Sequence, residues 1–298
     1  MQKDDFLARI ACQDYNIRIF AAQTLKLASE ISGIHNTAPN ATVAIGRLLN
    51  AAILLAGSSL KYQSRQSISV KISGTGHIKE LTAQVDGMGN VRGYVANPVA
   101  DIDARAEKID IPGIIGNGFL TVDKDLGLKE PYKTVIPLYH SDIAMDVTHY
   151  LAESEQIPSA LMIALNLGKE GEIISSGGIL IQTFPGTPES VITEIEERMT
   201  GSSFSLDETL RQGKDIYAGV SEILGNRPME ILSETPLSAN CRCSREMLEN
   251  ALKTIDRNEI QKMIEEDGGA EMHCSFCNTR YEFTEAELRS IIQQNNIH

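Results

Sequence analysis

Cys241-Arg242-Cys243 and, after thirty intervening residues, Cys274-Ser275-Phe276-Cys277 hold four of the chain's five cysteines. Two close pairs, each able to give two thiolates, separated by a loop long enough to bring them together, form the pattern of a four-thiolate zinc site, with Zn–S bonds of about 2.3 Å. Cys12 is the only other cysteine. Such clustering beside a thiol-poor remainder argues for a shared metal or redox site rather than for four unrelated buried thiols acting as small hydrophobes. The stretch therefore divides the chain into a small carboxy-terminal metal module and a larger part that must fold on an apolar core.

The first pair carries a local prediction. Side chains two apart on an extended strand point the same way but sit about 7 Å from each other, too far for two sulfurs on one ion. The chain is expected to bend at Arg242. A disulfide between Cys241 and Cys243 would close a very small ring, whereas Cys274 and Cys277 have the separation of ordinary redox pairs and are expected to oxidise first. His273 adjoins Cys274, but neighbouring residues of an extended segment face opposite ways, which sets it aside as a ligand.

Composition bounds the rest. A chain of 298 residues with 42% hydrophobic content can bury a sizeable core. Its net charge of −13 lacks the basic footprint that nucleic acid or an anionic membrane requires. The metal module offers no exception, with seven Lys or Arg against twelve Asp or Glu between residues 231 and 298. Met1-Gln2-Lys3-Asp4-Asp5 does not start a signal peptide, and the most apolar stretch, around 51–56, reads as too short to span a bilayer. A cytoplasmic protein is expected, and in a reducing cytosol paired cysteines read as metal-binding or redox-active.

The predicted fold class is α+β: an amino-terminal, mostly antiparallel sheet domain with packed helices over residues 1–184, a helical linker over 185–230, and a four-cysteine zinc domain over 231–298. Alternating or β-rich runs occur at 6–12, 17–20, 68–72, 81–85, 91–96, 119–122, 134–138, 161–167 and 173–182. Residues 42–56 are apolar nearly all round, as a helix buried against a sheet must be. A second helix is predicted over 141–154, with Ser141 as its cap. Between 185 and 230 short apolar stripes, including 191–199 and 216–224, are broken by Gly201, Gly213, Gly225 and Pro228. Helices of that length are marginal in water without a packing partner, so their order should depend on their neighbours.

In the metal module Ser244 can cap a helix bearing Met247, Leu248, Ala251, Leu252 and Ile255. Asp256 with Glu259, and Thr284 with Glu287, have capping-box spacing. Residues 274–283 read as a knuckle followed by a strand with Tyr281 and Phe283 on one face. So small a unit has little core, and metal binding should supply on the order of 10 kcal/mol of its folding free energy. Elsewhere, Gly74-Thr75-Gly76 and the glycines from Gly113 to Gly118 fit hairpin turns rather than phosphate loops. His35, His77, His140 and His149 are scattered singly, Cys12 reads as a buried bystander, and no acid-base or nucleophile constellation marks an enzyme.

Cys-x-Cys, a gap of about thirty, then Cys-x-x-Cys resembles the signature of the heat-shock protein thirty-three family, redox-regulated bacterial holdase chaperones. Arg92-Gly93-Tyr94-Val95-Ala96-Asn97-Pro98, Asp125-Leu126-Gly127-Leu128-Lys129, Ser154-Glu155-Gln156-Ile157-Pro158-Ser159-Ala160 and Cys277-Asn278-Thr279-Arg280-Tyr281 extend the resemblance over essentially the whole chain. It implies one Zn2+ held by Cys241, Cys243, Cys274 and Cys277 in the reduced, inactive form. It implies further that oxidation joins Cys241 with Cys243 and Cys274 with Cys277, expels the zinc and unfolds the linker. The implied partners are unfolded or misfolded client proteins held without ATP, a second copy in an activated homodimer, and ATP-dependent foldase chaperones downstream. Two other classes remain open, a zinc-ribbon nucleic-acid-binding protein and a thiol-disulfide oxidoreductase using Cys274 and Cys277. The acidic module weighs against the first, and the absence of a thioredoxin-like context weighs against the second.

Overall fold

Alternation along two strands determines how the amino-terminal part is layered. The structure, a computed structural model, describes residues 4–100, 109–201 and 204–294. Residues 1–3, which begin the amino-terminal stretch read above for targeting, lie outside the described residues. The chain divides into two compact units, 1–240 and 241–298.

The first unit runs β1 (Phe6–Cys12), β2 (Ile17–Gln23), α1 (Leu25–His35), α2 (Pro39–Ser59), β3 (Ser67–Gly74), β4 (Glu80–Asp86), β5 (Asn90–Val95), α3 (Ile111–Ile115), β6 (Gly118–Asp125), β7 (Tyr132–Pro137), α4 (Ile143–Glu153), β8 (Ser159–Leu167) and β9 (Ile173–Thr183). It continues through α5 (Glu189–Thr200), α6 (Leu206–Arg211), α7 (Ile216–Ile223), β10 (Glu230–Pro236) and β11 (Ser238–Ala239). Among the described residues a first sheet has the order β10-β1-β2-β9-β8 and a second the order β11-β5-β4-β3-β6-β7. Every pairing in them is antiparallel except the short β11–β5 contact. The expected α+β class and mostly antiparallel sheets are observed.

Helix α2 is the centre of the larger core. Leu48, Leu49, Ile53 and Leu54 are fully buried on different sides of it, packed with Ile68, Val70, Ile72, Leu81 and Leu120 of the second sheet and Leu7, Phe20 and Leu180 of the first. A helix apolar all round is the sequence consequence of burial between two sheets. It is also long and apolar enough to cross a membrane by length and composition, with 89% of its apolar window buried inside the fold. The apolar stretch is thus longer than the 51–56 run suggests, and its burial identifies α2 as a core helix.

The first sheet is covered on its other face too. Successive strand residues point to opposite sides; Leu7 and Phe20 join α2, whereas Ala8, Ile10, Ile17 and Ile19 join a second core with Ile195, Leu206, Leu210, Ile216, Val220 and Ile223 of α5, α6 and α7. The 185–230 helices thus have a packing partner within the first unit. Two close approaches seat them. A Cβ at Gly177 would meet Leu210 and Ile216 at 3.2 and 3.3 Å, and one at Gly219 would meet Leu206 at 3.0 Å.

Three local expectations change, and one helix is added. The boundary expected between residues 230 and 231 falls within β10, which pairs with β1 (Phe6 opposite Pro236), and the compact division comes after Asn240. β10 is an edge strand whose two aliphatic residues, Ile231 and Leu232, are adjacent rather than alternating, so little alternation reveals it. Ser141 is not the cap of α4: it has φ 52° and its Oγ donates to the Gly116 carbonyl at 2.7 Å, while Asp142 accepts from the Met145 N–H at 3.1 Å. The Gly113 region is the short helix α3 rather than a hairpin turn. Helix α1, not predicted, buries Leu27, Ala28 and Ile31.

The second unit contains α8 (Arg245–Leu252), α9 (Arg257–Asp267), β12 (Gly269–His273), β13 (Arg280–Thr284) and α10 (Glu285–Gln294). Its described core is small: Leu252, Ile260, Ile264, Phe283, Leu288, Ile291 and Ile292 are buried together. The caps fall where the sequence places them. Ser244 accepts from the Met247 N–H at 3.2 Å and Asp256 from the Asn258 N–H at 2.8 Å. Thr284 and Glu287 bond reciprocally, with Thr284 N–H to Glu287 Oε2 at 2.8 Å and Glu287 N–H to Thr284 Oγ1 at 3.4 Å.

Candidate metal centre

Local turns bring the thiols together. β12 and β13 pair with His273 opposite Arg280, and the knuckle between them is closed by Cys274 N–H to Thr279 O at 3.0 Å and Asn278 N–H to Cys274 O at 2.8 Å. Asn278 has φ 55°, a left-handed position that Asn tolerates better than most residues. Cys241 and Cys243 precede α8 in a segment without regular structure, which permits the expected bend.

The four Sγ atoms lie within 4.8 Å of one another. Cys241 Sγ is 3.6 Å from Cys274 Sγ, and Cys243 Sγ is 3.4 Å from Cys277 Sγ. A tetrahedral ion with metal–sulfur bonds of about 2.3 Å would space its sulfurs by about 3.8 Å. All four are free thiols, so the donor set and its spacing fit a metal ion. Among the described residues this is the only such group of ligating side chains. His273 is outside it, with Nε2 turned to Glu271 Oε1 at 2.7 Å.

Hydroxyls outside the donor set single out two sulfurs. Tyr281 Oη lies 3.2 Å from Cys243 Sγ and Thr279 Oγ1 3.1 Å from Cys277 Sγ. Burial and the neighbouring thiols push Cys243 up to about 12, against the Tyr281 contact. Burial also opposes charge on Cys277, but hydrogen bonds from Thr279, Cys243 and Cys274 outweigh it and bring that thiol down to about 6. Burial raises Cys274 as well. Charging neighbouring sulfurs together is therefore costly unless a cation shares the site. The thiol chemistry was legible from cysteine spacing; the two hydroxyls were not, because Thr and Tyr beside a knuckle carry no ligand signal until the turn is closed.

The other candidates stay apart from this centre. Cys12 is 1% exposed in the second core of the first unit, and burial raises its pKa. His35 is buried with Nε2 2.9 Å from the Gly93 carbonyl, and His149 packs edge-on against Tyr139. The amides of Gly74, Thr75 and Gly76 donate to Lys79, Asn117 and Ile115 carbonyls, so they do not form a phosphate cradle. Cys274 and Cys277 lie between antiparallel strands rather than at the start of a helix, the context a thioredoxin-like pair would need.

Comparison with known proteins gives one answer. The family model described as Hsp33 protein matches residues 5–284. A 33 kDa chaperonin of Syntrophotalea carbinolica is 38% identical over 97% of this chain and 99% of its own length. One from Bacillus subtilis is 36% identical with the same coverage. The crystal structure of a 33 kDa chaperonin from Thermotoga maritima superposes with a TM-score of 0.88 at 30% identity, covering 99% of this chain and all of that one.

Proposed function

Because this chain belongs to the Hsp33 family, a family of chaperones rather than enzymes, we propose that it is a redox-regulated, ATP-independent holdase of the cytoplasm, which binds unfolding proteins during oxidative and heat stress. The observation that carries this reading is the gathering of Cys241, Cys243, Cys274 and Cys277 within 4.8 Å in a unit with so small a core. A bound zinc ion would supply the positive charge that lets four thiolates share the site. Held this way, the loop at 241–243 and the knuckle at 274–277 are tied across thirty residues, and the tie substitutes for the apolar core the unit lacks.

On oxidation, Cys241 with Cys243 and Cys274 with Cys277 each give two electrons to a peroxide. One S–S bond forms per pair while the O–O bond breaks and two protons are taken up to leave two waters. In the reduced arrangement Cys241 Sγ contacts Cys274 Sγ at 3.6 Å and Cys243 Sγ contacts Cys277 Sγ at 3.4 Å, both across the pairs. Joining sulfurs within pairs therefore means re-sorting them, and that abolishes the long-range tie. The second unit then loses order, and the helices of 185–230 leave the first sheet and expose apolar surface for clients. The activated form pairs with a second copy and hands its clients to ATP-dependent foldases. The acidic composition supports a role away from nucleic acid and membranes.

The test follows zinc with a chromophoric chelator and, in parallel, light scattering of a chemically unfolded client, before and after peroxide at elevated temperature. Zinc release with loss of four thiols and suppression of aggregation without ATP is the expected result. Zinc release with no effect on aggregation would refute the holdase reading, and disulfides mapped across the pairs rather than within them would refute the proposed re-sorting.

A further inference from the structure

Helix α6 is six residues long, too short to hold together without outside contacts. Leu206 and Leu210 bury its apolar side in the second core, and Ser205 caps it by accepting from the Glu208 N–H at 3.3 Å. A further connection comes from β8. Asn166 is 7% exposed and sits where the β8–β9 register shifts, between Asn166 and Leu167. Its Nδ2 donates to Ser175 Oγ at 2.8 Å and to the Asp207 carbonyl at 3.0 Å, and its Oδ1 accepts from Arg211 Nη2 at 2.9 Å. The network fixes the orientation of the amide, because a carbonyl can only accept and a guanidinium can only donate.

We propose that Asn166 is a polar catch that holds helix α6 to the first unit independently of the metal centre, so that loss of the metal alone leaves this helix seated. Asn suits the place because one side chain can hold both ends of α6, the amino-terminal turn through the Asp207 carbonyl and the carboxy-terminal turn through Arg211. A second group of charges backs the catch. The Asp207 carboxyl is raised by burial and lowered by Arg47 and Arg211, and Arg47 of α2 also approaches Asp142 Oδ2 at 3.6 Å. These partners all belong to the 1–240 unit. The regulatory consequence rests on the holdase reading above: the metal centre would answer to oxidant, while Asn166 sets how much thermal opening is still needed before the linker helices come away.

The experiment compares wild type with Asn166→Ala in the reduced, zinc-loaded full-length protein, reading hydrogen exchange at α6, at α2 and at β12–β13. The expected result is exchange roughly tenfold faster at α6 with α2 and β12–β13 unchanged and the zinc content retained, as loss of a buried hydrogen-bond network requires. Unchanged α6 exchange overturns the proposal. Should Asn166→Ala fail to fold, Arg211→Ala, which removes a half-exposed partner, decides: exchange about threefold faster confined to α6 sustains the catch, and no change overturns it. Asn166→Asp, which keeps the acceptor for Arg211 and loses both donors, should resemble Asn166→Ala at the Asp207 end. Zinc-depleted Asn166→Ala is expected to suppress client aggregation at a temperature where zinc-depleted wild type does not. Faster α6 exchange without that gain would leave the catch standing and count against linker release as the activating step.

Discussion

The two units solve the same problem with different means. The first surrounds α2 with two sheets and covers the outer face of one of them with α5, α6 and α7, so its cohesion comes from many buried apolar side chains. Among the described residues the second has an apolar core of only seven buried side chains and concentrates four thiols within 4.8 Å. Apolar burial is spread over many contacts and indifferent to oxidants. A four-sulfur site is a single point of attachment whose chemistry can be reversed. Under the proposed function, stability in one unit and responsiveness in the other would follow from where the folding free energy resides.

Removing the metal should break this contrast most visibly. Treatment of the reduced protein with a strong chelator is expected to abolish hydrogen-exchange protection in β12, β13, α9 and α10, a loss on the order of 10 kcal/mol, while β3, β4 and β6 keep theirs. Retained protection in β12 and β13 would mean that the small core suffices alone.

Core truncations sharpen the contrast at the next level. Leu48→Ala, at a fully buried position of α2, should cost about 2–5 kcal/mol in urea unfolding of the first unit and leave zinc affinity unchanged. Phe283→Ala, 3% exposed in the second unit's core, should cost about 3–5 kcal/mol and weaken zinc binding as measured by chelator competition. Equal effects of the two on zinc affinity would contradict independent sources of stability.

A smaller, pH-dependent effect is expected at Glu155, which accepts from Tyr150 Oη at 2.5 Å and pairs with Lys124 at 2.8 Å. Burial acts to raise its pKa, but Lys124 and Tyr150 outweigh it and hold the carboxyl below its ordinary value of 4.5. A carboxyl depressed in the folded state stabilises above the unfolded value and loses that contribution as pH falls through the folded one. Glu155→Gln should therefore cost about 1–2 kcal/mol at neutral pH. The gap to wild type, read from urea midpoints, should narrow as pH drops below 4.5. A gap independent of pH would assign the loss to packing.

The smallest change is Tyr281→Phe, which keeps the ring against the second unit's core and removes only the hydroxyl near Cys243 Sγ. Zinc transfer to a chelator is expected to quicken by about tenfold with no change in the melting of the first unit. An unchanged rate would show that the hydroxyl contributes nothing to holding the site.

How far the sequence could be read follows the same division. Val70 and Ile72 alternate with exposed-side polar residues, and the expected strand is found there. The apolar circumference of 42–56 announced α2. β10 was hidden because Ile231 and Leu232 sit side by side instead of alternating, and an edge strand with a partner on one side only has little need for alternation. Asp142 displaced Ser141 as a cap because Ser141 is held by Gly116, a residue distant in sequence. At the metal centre, thiolate chemistry confines the choice of ligands and could be read from spacing. Which sulfurs are neighbours, and which hydroxyls lean on them, depends on the turn at Asn278 and on the β12–β13 register.

The double covering of the first sheet has a further consequence. Along β1, Leu7 faces α2 while Phe6 and Ile10 face the α5–α7 side, and β2 divides in the same way between Phe20 and Ile19. Residues one step apart on a single strand are thereby two separate dials, one for the core around α2 and the other for the grip on the α5–α7 cover. A lineage could turn one by changing alternate positions while leaving the other where it was.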